Sequence, residues 1–206
     1  IVTSIKDLDG VSEVHPVVFA EITVPWEPDF SDMWMKEFYE KWLTVPYSQE
    51  KEEYQNHPEN FGYSLIGIDE QEFDFLNKNL EQPINKEEFL SGKTCIIYRN
   101  GLDLSNSDLI GSKVTCALHS DKQVTQTFTI GGVTDESYYT AILGYPPTII
   151  TSDQVVKNFA NESITLKIGV KYTKEYDRNI EKEILKLLEA NGKENYNDND
   201  NIDLNF

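Results

Sequence analysis

Catalytic chemistry in this sequence would have to come from three histidines, two cysteines and a surplus of carboxylates. The histidines, His15, His57 and His119, are scattered. His15 precedes a proline at the start of a strand-like run, and His57 lies in an Asn-His-Pro turn. Both places suit capping or surface roles better than metal ligation. Cys95 and Cys116 fall on two separate β-branched runs, too few for a zinc site of four cysteines. The sequence holds no Gly-x-Ser-x-Gly elbow, phosphate loop, Gly-x-Gly-x-x-Gly or His-Glu-x-x-His. Acidic residues are so numerous that pairing any two means nothing without geometry. Asp198-Asn-Asp200-Asn-Ile202-Asp203 resembles the start of a calcium loop. It lacks the glycine at the sixth position, and the sequence stops before the twelfth. No catalytic residue, metal or cofactor is expected.

Aromatic surface offers a different chemistry, that of binding. All three tryptophans fall between Trp26 and Trp42, a span of 17 residues. Phe30, Trp34 and Phe38 follow at four-residue spacing, so Asp32 to Leu43 is expected to be an amphipathic helix capped by Ser31 and stopped by Pro46. Two readings stand. The aromatic face docks the helix onto a sheet, or part of it stays outside as a lid or interface contact. In the second reading Trp26, Trp34, Phe38 and Trp42 are the candidate ligand-binding residues. Glu27, Asp29, Asp32, Glu37 and Glu40 then give them an acidic rim, which suits a cationic amphipathic peptide.

The elements that must position these residues centre on Ser91 to Asp135. Three runs rich in β-branched residues are separated there by Asn, Gly, Asp and Ser, which predicts three strands. Val114, Cys116 and Leu118 alternate with Thr115, Ala117 and His119, and Val124, Gln126, Phe128 and Ile130 with threonines. Period-two alternation means one buried and one wetter face. Ser120 to Gln123 suits a hairpin turn. The two thiols are expected to be buried and free, since a bridge needs Cα atoms within about 7 Å.

Towards the ends the pattern becomes mixed. A helix tail is expected to stop near Gly10, followed by a strand from Glu13 to Pro25. Phe61 to Asp69 reads as a strand, and Glu70 to Leu80 as a helix with Asp69 as cap and Glu72 completing a capping box. Ser137 to Gly144 is ambiguous, Thr148 to Thr151 a short strand, and Asp153 to Phe159 a short helix capped by Ser152. Ile164 to Tyr172 alternates cleanly. Thr173 to Ala190 carries the stripe Tyr176, Ile180, Ile184, Leu187 and Leu188, ended by Asn191-Gly192. The tail from Lys193 is polar, with a last strand conceivable at Ile202 to Phe206. The strands at the two ends are expected to share one sheet, with the 173–190 helix packed on it.

The sequence has 206 residues, 39% hydrophobic and 12% aromatic, enough for a core. Lys plus Arg is 18 against 36 for Asp plus Glu, a formal net charge of −18, which repels nucleic acid. No run of about 18 apolar residues is present to span a bilayer, and no signal peptide is expected within these residues. The opening Ile1-Val2-Thr3 lacks methionine. It is expected to be the edge of an excised or processed segment, whose excision would hide flanking membrane helices.

Phe61-Gly-Tyr-Ser-Leu-Ile-Gly-Ile-Asp69, a helix, and Glu88-Phe-Leu-Ser-Gly-Lys93 resemble the extracytoplasmic domain of FtsX/MacB-type ABC-transporter permeases. Leu109-Ile-Gly-Ser-Lys-Val-Thr-Cys116 and Thr127-Phe-Thr-Ile-Gly-Gly-Val133 resemble further strands of that domain in the same order. Leu8-Asp-Gly-Val-Ser-Glu-Val14 resembles the stretch that follows its first membrane helix. The aromatic segment Pro25 to Pro58 and the acidic tail depart from the pattern. The resemblance implies an α+β fold. Residues 1–60 and 136–206 would form a mixed α/β porter-like subdomain from both chain ends, and residues 61–135 an inserted β-rich subdomain.

It further implies a non-enzymatic domain on the extracytoplasmic side of the cell membrane. A cytoplasmic ATPase subunit would couple to it through membrane helices, within a permease homodimer or heterodimer. The ligand would be a cationic peptide, an antibiotic or a lipoprotein. Two other readings of the residues stay open: a stand-alone surface or secreted binding module, and an extracellular hydrolase built from dispersed carboxylates.

Overall fold

A computed structural model describes residues 1–43, 46–135, 148–160 and 163–191. Tertiary packing divides the chain into two compact units, residues 18–164 and residues 1–17 with 165–206.

The larger unit is built on a closed ring of six strands. β1 (Val11–Thr23) enters it at Val18. β2 is Tyr63–Ile68, β3 Thr94–Tyr98, β4 Lys113–Leu118, β5 Thr125–Thr134 and β6 Thr148–Ser152. Around the ring the order is β1-β2-β6-β3-β5-β4 and back to β1. Val18 pairs with Gly67 and Ile22 with Tyr63 on one side of β1, and Ile22 and Thr23 pair with Leu118 and Ala117 on the other. β2–β6 and β3–β5 are parallel, and the other four pairs are antiparallel. Closure leaves the ring without a free edge, which removes the usual liability of a sheet.

One apolar cluster takes alternate residues from the strands: Val18, Ala20 and Ile22, then Tyr63 and Leu65, Cys95 and Ile97, Val114 and Cys116, Phe128 and Ile130, and Ile149. This is the period-two pattern of the sequence brought to one face. Gln126 interrupts it near the β4–β5 turn, and its side-chain amide donates to the Gly92 carbonyl at 3.2 Å.

Helices fill the connections. α2 (Pro28–Phe38) runs into a π-helical turn at Tyr39–Leu43, then α3 (Tyr47–Asn56). α4 (Glu70–Asn79) starts where Asp69 accepts from the backbone N–H groups of Gln71 and Glu72, as its sequence predicts. α5 (Lys86–Leu90) is capped by Asn85, α6 (Asn106–Leu109) by a Ser105–Asp108 capping box, and α7 (Asp153–Phe159) by Ser152.

In the smaller unit α1 (Val2–Lys6), the first residues of β1, β7 (Ile164–Tyr172) and α8 (Arg178–Ala190) surround Ile5, Val170 and Ile184. β7 lies beside β1, and Ser12 Oγ donates to the Lys171 carbonyl at 2.9 Å. The expected sharing of a sheet by the two end strands, with the last helix packed on it, therefore holds. α8 begins later than its stripe suggests, because Asp177 caps it by accepting from Asn179 N–H at 2.7 Å.

The fold is α+β, with a mixed sheet. The unit boundaries differ from the expected ones at residues 60 and 136. Residues 18–60 and the strand β6 belong with the ring, because β1 pairs with β2 and β4 while β6 pairs with β2 and β3. Ser137 to Gly144 and the tail from Lys193, with its calcium-like stretch, lie outside the described residues.

Candidate functional site

The aromatic segment is the part of the molecule where sequence placed binding residues, and its geometry is set by α2, the π turn and α3. Glu27 is the N-cap of α2 and Pro28 opens the helix, so it starts before the expected Ser31 cap. Ser31 instead sits in the first turn and its hydroxyl accepts from Glu27 N–H at 2.9 Å.

Asp32 ties the segment together. Its carboxylate accepts from Trp26 Nε1 at 3.2 Å, from Tyr47 Oη at 2.9 Å and from Lys51 Nζ at 2.5 Å. Lys51 also stands 5.7 Å from the centre of the Trp26 ring. Burial raises the Asp32 pKa, but the Lys51, Tyr47 and Trp26 donors outweigh it and hold the carboxyl below its ordinary value. Burial, and then the Asp32 carboxylate, push the Tyr47 phenol far up.

Beneath this hub lies a second polar chain. Tyr63 Oη donates to Tyr54 Oη at 3.1 Å, and Tyr54 Oη donates to the Val24 carbonyl at 3.1 Å. Tyr54 meets Phe61 edge-on at 5.0 Å, and Phe30 meets Trp34 at 5.8 Å.

The four candidate residues separate. Trp34 is 1% exposed and belongs to the core. Trp26 and Phe38 are half-buried and pack against the same core. Trp42 is 53% exposed, with Leu43 beside it at 43%. Most of the aromatic surface thus serves docking of the helix, and the four rings do not form one patch. Of the expected rim, Asp32 is committed to the hub, Glu27 and Glu37 are half-buried, and Glu40 is exposed. The Asp29 side chain lies outside the described set. The π turn, which no residue pattern announced, carries Trp42 and Leu43 outward.

The nucleophiles and bases lie elsewhere and apart. Cys95 and Cys116 are buried free thiols on β3 and β4, with β5 between those strands. Burial, with Cys116 nearby, pushes the Cys95 thiol well above its usual range, and burial pushes Cys116 up to about 12. His15 lies 3.2 Å from Glu13, His57 lies 3.5 Å from Glu59, and His119 is exposed at the end of β4. Among the described residues no group of three His, Cys, Asp or Glu side chains is placed to hold a metal ion. No helix among them is long and apolar enough to cross a membrane. Shallow depressions flank Arg99, whose guanidinium pairs with Asp135 and donates to the Leu104 carbonyl at 2.8 Å.

No family model and no curated protein sequence matches the chain. Several solved structures are similar to it, among them the following two. The periplasmic region of MacB from Actinobacillus actinomycetemcomitans has 14% sequence identity and a TM-score of 0.44, covering 92% of this chain and 71% of that one. The extracellular domain of the noncanonic ABC-type transporter YknZ from Gram-positive bacteria has 16% identity and a TM-score of 0.45, covering 92% of this chain and 81% of that one.

Proposed function

We propose that the chain is the extracytoplasmic domain of an ABC-transporter permease. In this reading the domain does no chemistry of its own. It couples ATP-driven movement of membrane helices to the export or sensing of a peptide, antibiotic or lipoprotein, in a permease dimer served by a cytoplasmic ATPase subunit.

The observation that supports this most directly is what the glycines of the resembling segments do. Gly67, in the strand ending Gly-Ile-Asp, has no room for a side chain. A β-carbon there would stand 2.6 Å from Val18 Cγ2 and 2.7 Å from the Asp153 α-carbon. Gly92 and Gly111, which end the next segment and open the one after, have φ of +73° and +92°. The short motifs that carry the resemblance are thus the turns and close contacts that build one six-stranded ring, in chain order.

The test uses the full-length parent protein in its own cells. A protease site placed in the exposed β4–β5 turn, Ser120 to Gln123, should be cut by protease added to intact spheroplasts. An ATP-hydrolysing subunit should co-purify with the parent protein from detergent. Protection of the site until the membrane is broken would overturn the reading.

A further inference from the structure

The two hollows beside Arg99 share that residue and Ser105 as a common wall. One has a volume of about 440 Å³ and runs along Gly101 to Leu104 and Asp135. The other, of about 670 Å³, is lined by Glu81, Gln82, Asn106, Ser107 and Ile110. Together they make one trough, and each part is within the size range of ligand sites. Both parts are open to solvent, which suits a chain laid along the trough better than a small molecule enclosed in it.

The exposed indole of Trp42 stands beside the first hollow. A β-carbon on Gly101 would lie 3.7 Å from its Cζ2, so the edge of the ring rests against the turn that walls the hollow. That turn has positive φ at both Asn100 and Gly101 and is closed by Leu102 N–H donating to the Arg99 carbonyl at 3.1 Å. Leu102 and Leu104 anchor it in the core. Lys41, the residue before Trp42, pairs with Asp103 of the same loop at 2.8 Å. A flat apolar face is thus held beside a polar trough, and a ligand that covers it meets a surface already in place.

The lining selects the chemistry of the ligand. Its charges are paired, Asp103 with Lys41 and Asp135 with Arg99. Arg99 donates through Nε and Nη2 to Asp135 and through Nη1 to the Leu104 carbonyl, which leaves an N–H on each terminal nitrogen. The Asn106 amide donates to Glu81, and the hydroxyls of Ser105 and Ser107 are 2.8 Å apart. The Gln82 amide adds one more donor and acceptor. An anion would find no surplus cation here, on a chain with a formal net charge of −18. A hydrocarbon would leave these polar groups unpaired. A neutral polyhydroxyl chain satisfies both conditions, because each hydroxyl donates and accepts and each sugar ring has an apolar C–H face for an indole. We propose that the trough binds a neutral linear oligosaccharide. One pyranose ring stacks on Trp42, and the next ones hydrogen-bond to Arg99, Ser105, Ser107 and Gln82. β-1,4-linked sugars with equatorial hydroxyls fit best, since their ring faces are the flattest.

The test is titration of the full 206-residue chain with cellohexaose and with chitohexaose, followed by calorimetry and tryptophan fluorescence. An oligogalacturonate hexamer, which carries a carboxylate on every ring, is the anionic control. At least one neutral probe should bind, with an affinity that added salt leaves unchanged, and the control should not bind. Trp42→Ala should weaken binding about tenfold. Trp42→Phe should keep most of the affinity and lose the fluorescence change. Gln82→Ala with Ser107→Ala, both exposed positions, should weaken binding about fivefold. Phe75→Ala, which removes an exposed aromatic on α4 outside the trough, should have no effect. Near-ultraviolet circular dichroism verifies that each variant is folded. Failure of both neutral probes to bind, or equal binding of the anionic control, would overturn the proposal. So would a loss for Trp42→Ala that the Gln82 and Ser107 variant does not share, since the contact would then be with the indole alone. The titration does not depend on the cellular topology of the parent protein, so this proposal and the one above fail separately.

Discussion

The α-carbon of Asp153 lies 2.7 Å from the point where a β-carbon on Gly67 would stand. Helix α7 therefore crosses β2 with backbone against backbone. The crossing is also walled by Val18 and Val156, whose methyl groups would be 2.6 and 2.9 Å from the same point.

Gly67→Ala is expected to destabilise the protein by about 1 to 3 kcal/mol, since the new methyl group meets main chain that cannot swing away. Urea unfolding followed by far-ultraviolet circular dichroism measures this. Gly101→Ala is the informative contrast. Its positive φ of 70° disfavours alanine, but its nearest neighbour is the edge of the Trp42 ring at ordinary contact distance, so the loss there should come from the backbone alone.

Asp32 should make stability depend on acid pH. Its folded pKa is depressed, so the contribution is complete above the ordinary carboxyl value of 3.8 and fades as pH falls through the lower folded value. The group is partly exposed, which screens the effect. Asp32→Ala should cost about 1 to 3 kcal/mol at pH 7 by leaving the Tyr47 hydroxyl and Trp26 N–H without their acceptor. The difference between wild type and variant should shrink below pH 3.8. A difference that stays constant from pH 7 to pH 3 would contradict this account.

Both thiols should resist modification in the folded protein. Burial pushes Cys95 and Cys116 upward, so little thiolate forms at neutral pH and the reagent has no path to it. Ellman titration should find no rapid reaction in buffer and two reactive groups in denaturant without reductant. Rapid native labelling of either cysteine would show that the ring opens around β3 or β4.

Local structure was largely legible in the sequence. Asp69 and Ser152 cap the helices their positions suggest, because a cap needs only a side-chain oxygen and the two or three residues after it. The alternation in β4 gave its buried face, Val114, Cys116 and Leu118, whereas in β7 the same pattern leaves Ile164 exposed and buries Val170. Partner choice was not legible. Nothing in Val18 to Thr23 says that the strand is flanked by β2 and β4, since any strand with that apolar spacing satisfies the same ladder. Hence the expected boundary at residue 60 differs from the observed division. The aromatic candidates were divided by a further non-local fact. Trp34 and Trp42 lie on one four-residue spacing, yet only the first falls where the sheet covers it. The π turn at Tyr39–Leu43 has no pattern that a periodicity count detects.

The two halves of β1 set an order on synthesis. A ribosome releases β1 first, but its early residues wait for β7, and Ser12 finds Lys171 only 159 residues later. The later residues of β1 need β2, which emerges about 40 residues on, and β4, nearer 100. The last strand of the ring, β6, is out by Ser152, before β7 begins. The six-stranded ring can therefore close on a nascent chain while the opening strand segment has no partner. Until Tyr172 leaves the exit channel, Val11 and Val14 stay open to chaperones, and loss of that escort would harm newly made chains more than finished ones.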